Sequence, residues 1–461
     1  MEYFVDNSID EATVNGLFKT FRRNYTDYEM HTFQLFKGGK NVVRISAEPY
    51  TCSDAREVYS LSKTFTSTVV GIASDMGLLS DEDSVCDYFP EINTKGFEKL
   101  KIKHLLSMNT GHESCVMEKM IYAKCSAEGF FSVPLKYEPG THFTYNTGAT
   151  CLLASIIEKV SGEKFFDFAC EKLFYPLGIT NVYWSCCGDG VCQAGTGLHI
   201  SSDDISKLGI MYYNKGVFGG RRIVSEEWIN KATSPISDNS LNGSPDWTSG
   251  YGYQIWINSR GGYRGDGAFG QLMMIIPEKE ILCVVQGLFK NDMQREMDEL
   301  FKFFGGISDK EETADYIDYA PAPGEKADKL DFTYNLCENV SGFKKLGIFC
   351  DGEVLKLSFS DGYRINTITA GNGKWLSSGF DAYGFSPRLT IMNNVFENVK
   401  TASCFSAKDN EIKVYIRYLT NPHSETLHIK YDEKNINFGF ENLLSDLRVG
   451  NLDNVSGVRA N

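Results

Sequence analysis

Glu57-Val-Tyr-Ser60-Leu-Ser62-Lys63-Thr-Phe-Thr-Ser-Thr-Val-Val-Gly71 is the stretch around which this chain is organised. Ser60 and Lys63 stand three residues apart at a predicted helix start. Positions i and i+3 share one helix face, one turn apart, so a hydroxyl there can meet an amine. A serine hydroxyl becomes a nucleophile when a neighbouring base takes its proton. A lysine serves as that base when burial or another cation lowers its pKa. The positive end of the helix dipole favours both the neutral amine and an oxyanion developing beside Ser60.

Ser-x-x-Lys is a weak signal by itself. Ser161-Gly-Glu-Lys164 and Ser341-Gly-Phe-Lys344 also match, but each places Gly after the Ser, which suits a helix end or a turn. What sets Ser60 apart is the run behind it. Phe65, Val69, Val70, Ile72, Ala73 and Met76 recur at helical spacing and stop at Gly77. The pattern describes a buried helix with a polar pair at its front.

With 461 residues, the chain has room for two or three domains. Hydrophobic residues make up 42% and aromatics 13%, enough for a large core and a lined pocket. The net charge of −14, from 46 basic and 60 acidic residues, argues against nucleic acid or an anionic membrane as the main partner. Met1 to Glu11 carry neither a basic nor an apolar leader segment, and no run of 18 apolar residues occurs. A cytoplasmic location without membrane attachment is therefore expected, with the 13 cysteines reduced. One cysteine cluster, Cys186-Cys187-Gly-Asp-Gly-Val-Cys192, leaves two readings: a Cys-rich loop, or a metal site with His199 as fourth ligand.

Residues 8–28 read as an amphipathic helix. His31–Phe36 and Asn41–Ser46, joined through Gly38-Gly39, read as a hairpin. Short helices are expected at His104–Gly111 and Leu152–Val160, and Ser201-Ser202 reads as an N-cap. Tyr251–Ile257 alternates like a strand. Gln271–Ile276 and Ile281–Val285 form an almost wholly apolar hairpin, as in sheets covered on both faces. A helix is expected from Asp292 to Phe304. Ala320-Pro-Ala-Pro-Gly324 reads as a linker. Beyond it, strands are expected at Leu346–Phe349, Val354–Phe359, Arg364–Thr369, Ile412–Tyr418 and Glu425–Tyr431. The expected division is a first domain over 1–319, a linker over 320–324 and a β-rich module over 325–461.

In this order the motifs resemble the serine β-lactamase-related hydrolases, which include class C β-lactamases, penicillin-binding DD-peptidases, esterases and amide hydrolases. The similarity spans roughly residues 25–305. It rests on Ser60-Leu-Ser-Lys63, Gly77-Leu-Leu-Ser80-Asp-Glu-Asp, Ile102-Lys-His-Leu-Leu106 with Thr110-Gly111, and Pro139-Gly-Thr-His-Phe-Thr-Tyr145-Asn-Thr147-Gly. It continues through Ile156-Ile-Glu-Lys-Val-Ser-Gly162, Pro176-Leu-Gly-Ile179, Gly195-Thr-Gly-Leu198 with Asp204, and Gly267-Ala-Phe-Gly-Gln271.

The resemblance implies that Tyr145 passes protons between Ser60 and the leaving group, with a Lys63 cation lowering the phenol pKa. It implies substrate contacts at Asn146 or Thr147, with the register open by one residue. The family's third motif, usually Lys-Thr-Gly or His-x-Gly, falls on Asp266-Gly267-Ala268. An acid replaces the usual cation there and would repel a substrate carboxylate, which weakens the β-lactam and peptidoglycan readings. Arg264 could supply a displaced cation, and Asp266 reads equally as a turn residue before Gly. The backbone N–H of Ala268 or Phe269 could pair with that of Ser60 as an oxyanion hole. His104 reads as packing and His142 as a loop residue near the site. A Ser-His-Asp triad is the weaker reading, because neither has an evident carboxylate partner.

The expected fold is α+β: an antiparallel sheet flanked by helices, with a helical subdomain and a C-terminal β-rich module. The expected activity is hydrolysis of a small amide or ester through an acyl-enzyme on Ser60, without metal or cofactor. A β-lactamase or D-amino-acid peptidase is the alternative within the class; a catalytically silent ligand-binding protein is the alternative outside it. Composition leaves homo-oligomerisation open.

Overall fold

The structure, a computed structural model, describes residues 2–25, 28–289, 293–306, 310–311, 318–323, 329–380, 399–442 and 454–460. The chain divides into two compact units. One spans Glu2–Ile45 and Cys52–Asp315; the other spans Tyr316–Asn461 together with Ser46–Thr51.

The first unit is built on a seven-stranded antiparallel sheet. Its order is Tyr3–Val5, Lys40–Ser46, Tyr28–Lys37, Ile281–Phe289, Gln271–Ile276, Tyr263–Gly267 and Trp256–Ile257. Every residue of Gln271–Ile276 and Ile281–Phe289 is buried, as their apolar runs predict. One face packs on helices Glu11–Asn24 and Met293–Phe304, through Val14, Leu17 and Phe21 on one helix and Leu300 and Phe303 on the other. The opposite face supports the helices Ser62–Asp75 and Ser202–Tyr213 and the largely helical region from residue 78 to 200.

The expected helices form with shifted ends. Residues 8–28 give a helix only over Glu11–Asn24, capped by Asp10, because Tyr28 already enters a strand. Leu152–Val160 belongs to the longer Thr147–Ser161, which ends at left-handed Gly162. Ser201 caps Ser202–Tyr213 by accepting the Asp204 N–H. The Asp292 start of the last helix lies outside the described residues. Tyr251–Ile257 is not a continuous strand: Trp256–Ile257 is a short strand and Tyr251 makes isolated bridges to Ser237 and Trp256, because Gln254 turns to φ +62°. Its side chain there donates to the Leu105 and Leu106 carbonyls and accepts from Thr150, bonds that outweigh local strand preference.

The second unit is a β-barrel of ten strands. Antiparallel neighbours run from Ile365–Asn372 through Val354–Ser360, Lys345–Cys350, Leu330–Leu336, Val455–Arg459, Asn435–Asn442, Ser424–Tyr431 and Glu411–Tyr418 to Val399–Lys408 and Leu376–Phe380. A parallel pairing of Gly371 with Cys404 and Asn372 with Phe405 closes the ring. Its strands alternate buried and exposed, and Leu355, Leu357, Phe359, Val414, Ile416 and Phe438 fill the interior. The Ser46–Thr51 segment joins this unit by a bridge from Glu48 to Asp318, whose carboxylate also takes the Trp375 indole N–H at 2.8 Å. Among the described residues, no helix is long and apolar enough to cross a membrane.

Candidate active site

Ser60 sits in a single 3-10 turn, Tyr59–Leu61, immediately before the helix Ser62–Asp75, so it precedes the α-helix proper by two residues. Tyr59 holds a left-handed φ of +47°. The turn is clamped from both sides. Arg56–Glu57 pairs with His199 and Ile200, and the Ser62 hydroxyl donates to the Tyr59 carbonyl while accepting the Leu198 N–H. On the other side lies Tyr263–Gly267. A Cβ on Gly267 would fall 2.1 Å from the Val58 carbonyl, and one on Gly265 2.3 Å from Thr64 Oγ1. Only glycine lets this strand lie against the Tyr59–Leu61 turn.

Lys63 occupies the first turn of the helix and is 1% exposed. Its Nζ lies 3.0 Å from Ser60 Oγ, donates to the Gly195 carbonyl at 2.6 Å, and stands 4.8 Å from the centre of the Tyr145 ring. Burial pulls its pKa down to about 7, against the upward pull of Cys115 and Asp266. Ser60, by contrast, is only partly buried and open to a reactant.

Tyr145 precedes the helix Thr147–Ser161. Its ring stacks on Trp256 at 5.4 Å and meets Tyr251 edge-on at 6.2 Å. Lys63 Nζ, 3.0 Å from Ser60 Oγ, also lies over this ring, and the Ser60 hydroxyl is close enough to act on the phenol, so the three expected groups are near neighbours. The electrostatics of Tyr145 correct the sequence reading. Burial first, then the negative charge of Asp266, push the phenol above its ordinary value, and the nearby Ser60 hydroxyl only partly opposes them. The phenol is therefore held in its neutral form, while the Lys63 amine is the group drawn towards neutrality.

Asn146 is fully buried. Its amide oxygen caps the helix at the Gly148 N–H and accepts the Val116 N–H at 3.0 Å, and its amide nitrogen faces His112. These contacts anchor the loop over residues 112–116 to the helix start. Thr147 is partly exposed, and a Cβ on Gly195 would fall 2.7 Å from its methyl, so it braces the carbonyl that holds Lys63.

Asp266 is not a turn residue. It lies within the strand, 8% exposed, and accepts Arg264 Nε at 3.0 Å. Burial raises its pKa; Arg264 and a bond from Trp256 oppose that rise. Nor does Arg264 act as a free cation. It is fully buried between Trp247 and Trp256, and Nη1 donates to the Asp246 carbonyl and to Asn258 Oδ1. The charge of Asp266 is thus paired inside the wall of the site. The strand then leads into exposed Ala268 and partly exposed Phe269, whose φ is +67°. Gln271 Nε2 and the Phe289 N–H both donate to the Phe269 carbonyl, which fixes this loop beside Ser60, and Phe269 meets Tyr59 edge-on.

His104, His112 and His142 are each engaged by other partners. His112 bonds Thr110 and the Val133 carbonyl, with burial lowering its pKa to about 4. His104 accepts the Lys101 N–H, and His142 stacks on Tyr137. As for the cysteine cluster, His199 Nδ1 lies 3.2 Å from the Gly197 carbonyl, and among the described residues no group of three or more His, Cys, Asp or Glu is placed to hold a metal.

Three contributors escaped the sequence reading. The Gly195 carbonyl leaves no side-chain signature, although Gly195-Thr-Gly197 was visible. Trp256 was read only as part of an alternating run. Cys115, an exposed thiol close enough to act on Lys63 and Tyr145, carried no pattern at all.

The comparisons agree with this geometry. The beta-lactamase family model matches residues 32–299. A 6-aminohexanoate-dimer hydrolase of Paenarthrobacter ureafaciens is 23% identical over 278 residues, 55% of this chain and 71% of that protein. A lovastatin esterase of Penicillium rubens is 24% identical over 204 residues, 38% of this chain and 50% of its own length. Among solved structures, an octameric penicillin-binding protein homologue from Pyrococcus abyssi aligns over 97% of this chain and all of its own, with a TM-score of 0.55 at 19% identity. The chain belongs to the beta-lactamase family of serine hydrolases.

Proposed function

We propose that the protein hydrolyses a small amide or ester in two steps through an acyl-enzyme on Ser60. Neutral Lys63 takes the Ser60 proton as the hydroxyl attacks the carbonyl carbon. The Ser60 N–H and that of Ala268 or Phe269 receive the oxyanion. Tyr145, held neutral, gives a proton to the leaving amine or alcohol and is reprotonated from Lys63. Water then attacks the acyl-enzyme, with Lys63 again the base. The observation that carries this reading is a fully buried amine 3.0 Å from Ser60 Oγ, its pKa drawn down to about 7.

The substrate class draws support from two sides. Printed names among the relatives include an amide hydrolase and an esterase. Partly exposed Phe143 and Tyr145 pack on buried Trp256 beside Lys63 and Ser60, and the nearby Asp266 carboxylate is already paired with Arg264. A neutral acyl group suits such a wall.

The test is a fluorophosphonate label followed by ester and anilide turnover. Labelling should map to Ser60 and vanish in Ser60→Ala. Lys63→Ala should lower the acylation rate by about 10²-fold or more, the usual scale for a lost general base. In the wild type, kcat/KM should rise with pH through about 7 as Lys63 loses its proton. A folded protein that never labels would end the proposal.

A further inference from the structure

Two thiol pairs lie beside the site without a role in the reaction. Cys186 Sγ is 3.8 Å from Cys192 Sγ, and Cys151 Sγ is 3.6 Å from Cys187 Sγ. The second pair is buried on both sides, whereas Cys186 is exposed. The first pair has a defined backbone. Cys186 and Cys192 face each other across an antiparallel bridge. The bonds from Cys187 N–H to the Val191 carbonyl at 2.8 Å and from Gln193 N–H to the Ser185 carbonyl at 2.9 Å lie on either side of them. Such a non-hydrogen-bonded pair sets its α-carbons about 4.5 Å apart, within the span a disulfide bridges.

The hairpin leads straight to the catalytic base. Ala194 O accepts Thr66 Oγ1 at 2.9 Å, and Gly195 O accepts Lys63 Nζ at 2.6 Å. The Gly195 N–H bonds back to the Gln193 carbonyl, and Ala194 holds φ +54°, so little slack separates Cys192 from the carbonyl on Lys63.

We propose that Cys186 and Cys192 are a reversible disulfide site, closed by exchange with a low-molecular-weight disulfide, and that closure shifts the Gly195 carbonyl from Lys63 and slows hydrolysis. The Cys186 thiolate attacks one sulfur of the small disulfide, forms a mixed disulfide and releases one small thiolate. Cys192 then loses its proton and attacks Cys186 Sγ, releasing the second. Two protein thiols and one small disulfide thus become one protein disulfide and two small thiols. The roles suit the two sulfurs. The bond from Cys192 draws the Cys186 thiol down to about 7, while Cys192 is pushed up by that same bond and by burial.

The coupling to hydrolysis rests on Lys63 being the base; the disulfide does not. The test uses the full chain carrying Cys115→Ser, because an adduct on exposed Cys115 would itself obstruct the site. The protein is equilibrated with reduced or oxidised glutathione, denatured, alkylated and digested. The expected result is a peptide in which Cys187 is alkylated while Cys186 and Cys192 are not, lighter by two hydrogen atoms. Ester turnover should fall about tenfold in the oxidised sample, well within the cost of displacing a catalytic group by ~1 Å, and return with dithiothreitol. Adding Cys186→Ser should keep the reduced rate and abolish the response. Glutathione adducts without the linked peptide, or an oxidant response that survives Cys186→Ser, would overturn the site. A linked peptide with unchanged turnover would overturn the coupling. Failure of the reduced protein to take a fluorophosphonate would instead overturn the reading of Lys63.

Discussion

The two β-structures of this molecule solve the same problem in opposite ways. In the seven-stranded sheet, Tyr263–Gly267, Gln271–Ile276 and Ile281–Phe289 are buried at every position. In the barrel, Leu330–Leu336 and Val354–Ser360 alternate between interior and surface. A sheet covered on both faces can hold charge away from water, and there Arg264, Asp266, Gln271 and Gln286 each find partners inside. A barrel with one wet face keeps pairs such as Lys430–Glu411 outside, where both side chains are at least half exposed. The barrel also encloses some charge, at Arg417 and Glu425, but the amine whose pKa is drawn down to about 7, Lys63, lies against the covered sheet of the first unit.

Breaking one ion pair in each structure should separate them most. Asp266→Ala leaves the Arg264 guanidinium buried without its carboxylate, a loss of about 3–5 kcal/mol. Glu411→Ala should leave unfolding unchanged. Urea denaturation of both variants, followed by tryptophan fluorescence and circular dichroism, checks this; equal sensitivity would refute the contrast.

A smaller effect should come from glycines. Gly267→Ala drives a methyl into the Val58 carbonyl and should cost about 1–3 kcal/mol, with a larger fall in turnover because the Ser60 turn moves. At Gly347 in the barrel the nearest atom to an added methyl is 3.7 Å away, so Gly347→Ala should be silent in both measurements. Melting curves and ester turnover of the pair decide it.

A further test sharpens the comparison through pH. Glu296 is fully buried beneath the Gly267–Gly270 loop, bonded by the Tyr28 hydroxyl, with Arg264 and Asp266 also acting on it. Burial raises its pKa from 4.5 to about 8. A carboxyl with a raised folded-state pKa stabilises most below its unfolded value and loses that contribution as pH climbs to 8. Wild-type melting temperature should therefore fall between pH 5 and 9 by more than that of Glu296→Gln. Parallel curves for the two proteins would show that Glu296 does not titrate there.

Much of the first unit could be read from the chain, because its periodicities are strong. Phe65 to Met76 gave the nucleophile helix, and the apolar runs around Pro277 gave the central hairpin. The Ser60, Lys63 and Tyr145 convergence was expected from motif order. What escaped depends on long-range partners. Gln254 breaks a strand-like run for the sake of bonds to Leu105, Leu106 and Thr150. The direction of the Tyr145 shift follows from burial and Asp266, neither visible locally. Asp266 looked like a turn residue because Gly follows it, yet both belong to a strand pressed on a helix start. In the barrel, Val399–Lys408 escaped because its Thr, Ala and Ser residues carry little apolar contrast, and closure between Gly371 and Cys404 has no sequence signal.

One detail of connectivity bears on how this protein could be taken apart. Ser46–Thr51 belongs with the barrel, although it lies just upstream of the nucleophile turn. The polypeptide crosses into the second unit and returns before it ever reaches Ser60. A first unit trimmed at the apparent domain boundary would carry an orphaned segment shortly before Ser60 in the chain, and a barrel expressed separately would lack one of its pieces. Recombining the two halves in evolution or in the laboratory would thus require two cuts in the gene rather than one.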